Sequence, residues 1–95
     1  MGQKFVLLGD IGTDHDGYPP TPVIEGSPTV IMDGKPVARL GDALEPHDKP
    51  NHPTHSRSIA QGSGTIFVDG KPVALTSHAV DCGGVVIGSG SGEGS

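Results

Sequence analysis

Ninety-five residues allow one small domain, which on folding buries only about 60–65% of the surface its unfolded chain exposes. Hydrophobic residues are 33% of the chain, with one Tyr, two Phe and no Trp, and a single Cys excludes an internal disulfide. A core this thin needs a metal or a partner. The net charge of −5 with scattered Lys and Arg argues against nucleic acid as a partner, no apolar run approaches membrane-spanning length, and 16 Gly with 9 Pro disfavour long helices.

In chain order, MGQKFVLLGD has a very short apolar stretch without a cleavage pattern, so no secretory signal peptide is predicted. Residues 3–10 read as a strand ending in Gly9-Asp10. Residues 11–22 (IGTDHDGYPPTP) read as a loop dense in turn residues. Val23-Ile24 leads into the stretch GSPTVIMDGKPVARLGD at 26–42. After a second loop at 43–58 (ALEPHDKPNHPTHSRS), that stretch returns at 62–78 as GSGTIFVDGKPVALTSH, offset by 36 residues. Each copy predicts a β-hairpin. Its alternating apolar residues suit a pleated surface, and Asp33-Gly34 or Asp69-Gly70 supplies a tight turn. Pro36 and Pro72 open the return strands. Lys35 and Lys71 are ordinary solvated turn residues. A third loop, 79–84 (AVDCGG), precedes a last strand at 85–87. Residues 88–95 (GSGSGEGS) have linker composition. The expected organisation is one domain over 1–90 and a flexible Gly/Ser tail over 91–95.

The ends complete the repeat. Phe5 to Asp10 aligns with Val37 to Asp42, a second half without its first. Val85 to Ser89 aligns with the strand and Gly-Ser preceding each hairpin, a first half without its second. A third unit divided between the termini implies closure: an all-β cone or prism of hairpins with pseudo-threefold symmetry. Equivalent loops then meet at one pole.

The candidate chemistry sits in those loops. Asp10 to His15 is five residues, Asp42 to His47 is five, and His78 to Cys82 is four. One metal-capable side chain thus occupies a similar place in each loop, and His52 or His55 supplies a fourth. Imidazole and thiolate are the usual zinc ligands, and a closed set of four is structural rather than catalytic. The ligand candidates are His15, His47, His52, His55 and Cys82, four of the five coordinating. Zinc is the expected metal, although iron shares such sites. His78 is excluded, because it replaces Asp10 and Asp42 at a corner whose role is structural. Asp14, Asp16, Glu45, Asp48 and Asp81 lie near the same pole, but a small solid prism offers no cleft for their use as acids or bases, so the expectation is a protein that is not an enzyme.

Pro36-Val37-Ala38-Arg39 and Pro72-Val73-Ala74-Leu75 resemble the Pro-Ala-Ala-Arg motif of the PAAR-repeat proteins, within full repeats and with HDGYPPTPVIEGS and DCGGVVIG around them. The resemblance covers about residues 4–90. Leu75 stands where the pattern has Arg, both copies have Val for the first Ala, and His78 replaces the Asp of the Gly-Asp corner. The resemblance implies a cone with a zinc held by three His and one Cys near its apex. It further implies a base docked onto a trimeric valine-glycine-repeat spike of type VI secretion, or a contractile-phage spike. Such a tip is made in the bacterial cytoplasm, delivered outward by the apparatus to puncture target membranes, and accompanied by effector proteins. It does not insert stably into membrane. The rival readings are a free-standing zinc-binding adaptor and an enzyme with an open metal site. Four protein ligands separate the tip from the enzyme, and spike binding separates it from the adaptor.

Overall fold

The computed structural model describes residues 2–95, and among them it is all-β. Its strands are β1 (Gln3–Lys4), β2 (Ile11–Gly12), β3 (Thr21–Pro22), β4 (Ile31–Met32), β5 (Lys35–Pro36), β6 (Ala43–Lys49), β7 (His52–Ser58), β8 (Phe67–Val68), β9 (Lys71–Pro72), β10 (Val86–Ile87) and β11 (Glu93–Gly94). All pairing between them is antiparallel.

The Asp-Gly pairs turn the two repeat hairpins as their chemistry requires. Asp33 and Gly34 have φ of 54° and 79°, and Asp69 and Gly70 have 55° and 78°. Two successive residues at positive φ make the tight turn whose twist matches the strands it joins. β4 pairs β5 with Ile31 opposite Pro36, and β8 pairs β9 with Phe67 opposite Pro72.

A third hairpin has the same register but is made from the two ends of the chain. β11 pairs β1, with Glu93 opposite Lys4 and Gly94 opposite Gln3. Ser95 and Gly2 therefore fall where Asp-Gly stands in the other two. The Gly/Ser-rich end, read from composition as a flexible tail, is laid against the body. Ser91 donates from N and Oγ to the Asp33 carboxylate (2.6 and 2.8 Å), and Ser63 Oγ and Thr65 Oγ1 donate to the Ser95 carbonyl (2.5 and 3.0 Å). Composition describes such a segment in isolation. Here the neighbouring repeats offer it a ladder and turn acceptors.

Three strands meet on the axis in a closed ring. Val6 N donates to Ala74 O (3.0 Å), Ala74 N to Ala38 O (3.0 Å) and Ala38 N to Val6 O (2.8 Å). All three side chains are fully buried and small, as convergence on one axis demands. Bridges Leu7–Val37, Arg39–Val73 and Phe5–Leu75 repeat the same cycle one residue away.

Each axial strand ends in a corner. Gly9, Gly41 and Ser77 take φ of 92°, 90° and 77°. The next side chain accepts the amide three residues back: Asp10 from Leu7 (2.8 Å), Asp42 from Arg39 (2.8 Å), and His78, through Nδ1, from Leu75 (3.0 Å). His78 thus performs the carboxylate's task with a ring-nitrogen lone pair.

Beyond the corners the structure departs from the expected loops. Residues 11–22 form a hairpin in which β2 pairs β3 and His15 bridges Tyr18 across Asp16 (φ 47°) and Gly17 (φ 82°). Residues 43–58 form the longest hairpin, β6 with β7, bulged twice and turned at Asn51 (φ 67°). Residues 79–85 close by a single bridge, Ala79 to Val85. The second arm escapes notice in the sequence because its buried positions are few and out of alternation, Leu44 and His47 three apart on one strand and Arg57 on the other, and two of the three are polar.

Two apolar clusters flank the ring. Toward the arms lie Val6, Val23, Ala38, Leu44, Ile59, Ala74, Val80 and Val86, with Cys82 against them. Toward the repeat hairpins lie Leu7, Val37, Val68, Val73 and Leu75, with Phe5, Met32 and Ile66 against them.

Candidate metal centre

The three arms bring four of the five candidate ligands together. His15 enters from the first arm, beside its turn. His47 and His55 face one another across β6 and β7, in register and with rings stacked 4.4 Å apart. Cys82 enters from the third arm. One donor atom from each lies within 4.8 Å of every other. His15 Nε2 is 3.2 Å from His47 Nε2, and Cys82 Sγ is 3.6 Å from that same nitrogen. Tetrahedral zinc bonds place two nitrogens about 3.3 Å apart and nitrogen from sulfur about 3.6 Å apart.

Protonation fits a metal as well. His47 Nδ1 donates to the Pro19 carbonyl at 2.8 Å, so its Nε2 carries the lone pair that faces the cluster. Burial holds the His47 pKa below the ordinary imidazole value. The Arg57 charge and the neighbouring His55 and His15 push the same way, against the Pro19 carbonyl. His55 Nε2 is buried without a hydrogen-bond partner. A buried polar atom costs free energy unless something binds it, and a cation at this point would do so.

His52 stays outside. It is exposed and sits opposite Lys49 near the tip of the second arm, its ring 6.2 Å from that of Tyr18. His78 is held in its corner. Asp81 accepts from Ser58 N and Oγ (3.0 and 2.9 Å), and Thr54 Oγ1 donates to Asp48 (3.4 Å), so these carboxylates brace the arms.

Two residues at the centre are not among the sequence candidates. Tyr18 lies against His15, His47 and His55 at 5.4, 4.8 and 4.3 Å between ring centroids, with the Lys49 ammonium 4.6 Å from its own ring. Its signal was its place one residue beyond Asp16-Gly17. Arg57 donates from Nε to Cys82 Sγ at 3.3 Å and is 1% exposed. Arginine is seldom so buried, and nothing in THSRS announces it. Gly83, at φ 124°, keeps the cage open, since a Cβ there would stand 2.9 Å from the His15 ring.

Three imidazoles and one thiol from three arms are a donor set that could hold a metal ion, and four protein donors of this kind are typical of structural zinc. A family model described as the PAAR motif matches residues 13–88, a span that contains all four clustered donors. No curated protein matches the chain.

Proposed function

The chain belongs to the PAAR-motif family of type VI secretion spike tips, and from that membership we propose that it caps a trimeric valine-glycine-repeat spike, one tip to one trimer, and sharpens it for membrane puncture. The observation that carries this reading is the closed ring of Val6, Ala74 and Ala38. It gives one chain three like faces about an axis, so a monomer can meet a threefold partner with matching symmetry.

The hairpins and the arms lie at opposite ends of the axial strands, because each strand runs from one to the other. The hairpin end supports docking. Val30, Ile31 and Phe67 are exposed there, and exposed apolar side chains gathered on one face mark interaction surfaces. The third hairpin puts Glu93 in register with Ile31 and Phe67, so the face is apolar on two sides and acidic on the third.

At the other end His15, His47, His55 and Cys82 would hold zinc, which supplies bonds between arms that lack the apolar volume to pack. The role is mechanical, without turnover. The tip rides out on the apparatus and helps recruit effectors.

Co-purification with a trimeric spike tests the reading. The expected complex has one tip per three spike chains. Phe67→Asp and Ile31→Asp should abolish it by burying an unpaired charge, while Asp48→Lys on the second arm should leave it intact. Equal numbers of tips and spike chains, or loss of binding through Asp48→Lys alone, would reject capping.

A further inference from the structure

We propose that Arg57 is the positioning residue of the metal centre, its guanidinium drawing the three arms into one cage and setting the Cys82 sulfur. The inference rests on the reading of the four donors as a metal site. Arg57 lies on β7 opposite Leu44. A guanidinium has five N–H groups, and here every one has an acceptor. Nε donates to Cys82 Sγ (3.3 Å), Nη1 to Gly12 O (3.2 Å) and Thr21 Oγ1 (3.0 Å), and Nη2 to Thr13 O (2.7 Å) and Gly83 O (3.2 Å).

Those acceptors divide by arm. Gly12, Thr13 and Thr21 belong to the first arm, Cys82 and Gly83 to the third, and Arg57 itself to the second. Each bond fixes a segment that carries a ligand: Thr13 is two residues before His15, Gly83 follows Cys82, and Arg57 is two residues after His55. The planar fork makes this a rigid joint. A lysine would bring the charge but only three donors on a flexible stem.

The surroundings are shaped to it. A Cβ on Gly84 would stand 2.6 Å from the Thr13 carbonyl and 3.2 Å from Nη2, and one on Gly12 would strike Leu44 and come within 3.3 Å of Nη1. No carboxylate is among the acceptors. The sulfur is the one acceptor that can carry negative charge, so the guanidinium and a metal-bound thiolate are matched neighbours.

The test uses the full chain and cobalt(II), whose sulfur-to-metal charge-transfer band reports on the cysteine. Arg57→Lys and Arg57→Met should weaken cobalt binding about 10- to 100-fold in competition with a chelator, the loss typical of a lost outer contact. The band should also move to longer wavelength in the bound fraction, because an N–H bond to sulfur lowers its lone-pair energy. A role in folding alone would not shift that band. Wild-type affinity with an unmoved band in Arg57→Lys would overturn the proposal. Should both variants fail to fold, Thr21→Val, which removes one acceptor, decides: a several-fold loss of affinity supports it, and no change overturns it. A wild type that takes up no cobalt refutes the metal reading itself, a different result from a wild type that binds beside a variant that binds equally.

Discussion

The two ends of the axial strands are held by opposite means. At the hairpin end, Leu7, Val37, Val68, Val73 and Leu75 pack with Phe5, Met32 and Ile66, and burial does the work. Burial is non-directional, so it asks only for apolar volume of about the right shape. At the arm end, apolar residues stop just above the ring, and the cage is held by Arg57, a tyrosine lid and the convergence of His15, His47, His55 and Cys82. Directional contacts fail when an atom is misplaced or lost. A small chain can thus hold one end by apolar burial and add directional contacts at the other, beyond its core.

The largest effect should come from removing the thiolate. Cys82→Ser should purify almost free of zinc and melt like chelator-treated wild type, because metal binding in small domains is folding energy on the order of 10 kcal/mol. His52→Ala, by contrast, should keep wild-type metal content and melting temperature. Metal analysis beside calorimetry checks both, and zinc retained by Cys82→Ser would remove the arm end's half of the contrast.

Next in size is the Asp42 corner. Asp42 accepts from Arg39 N, Nε and Nη2 at 2.8, 3.0 and 3.0 Å, and both side chains are buried. Asp42→Ala leaves the buried guanidinium with Asp69 as its one carboxylate partner (2.9 Å) and should cost about 3 kcal/mol in denaturant unfolding. Asp10→Ala, whose partners are the Leu7 and Ser89 amides and the Ser89 hydroxyl, should cost about 1–3 kcal/mol. Smaller again is a change at the hairpin end. Leu75→Met conserves volume and should cost under about 1.5 kcal/mol in the same assay. A larger loss would show that this end too depends on exact shape.

The smallest effect is one of pH. Burial lowers the His78 pKa, and its Nδ1 lone pair holds the Leu75 amide. With the folded value below the unfolded one, the unfolded chain binds more protons between them. This contribution is therefore whole above about pH 6.5 and lost as pH falls toward the lower folded value. His78→Asp restores the side chain found at the other two corners. Melting temperatures from pH 7.5 to 5 should fall more for wild type than for His78→Asp; parallel curves would show that the corner does not titrate.

What the sequence made legible was what repeats. The Asp-Gly turns, the Gly-Asp corners and the divided third unit follow from aligning 26–42 with 62–78 and with the termini. Counting from the corners singles out His15, His47 and Cys82, whose donor atoms the structure brings together with one from His55, while His78 stays in its corner. The choice between His52 and His55 required a register. In β6 and β7 the partner of His47 is His55, and the partner of Lys49 is His52, but a segment read as a loop has no register. Arg57 was invisible because no carboxylate pairs with it: its acceptors are three backbone carbonyls, a hydroxyl and the Cys82 sulfur, spread over two other arms. The pairing of Glu93-Gly94 was hidden too, since its partner Gln3-Lys4 lies at the far end of the chain and neither strand alternates apolar with polar.

The ring of Val6, Ala74 and Ala38 has one more implication. Repeat proteins built as open stacks fray, because a terminal unit touches one neighbour and can peel away alone. Here every unit touches two, and the hydrogen bonds run head to tail until they return to their start. Detaching any unit breaks two of those links at once and leaves no shorter stack to fall back on. Such a body has no outermost repeat at which to begin unravelling, so a blow delivered along its axis is met by all three units together.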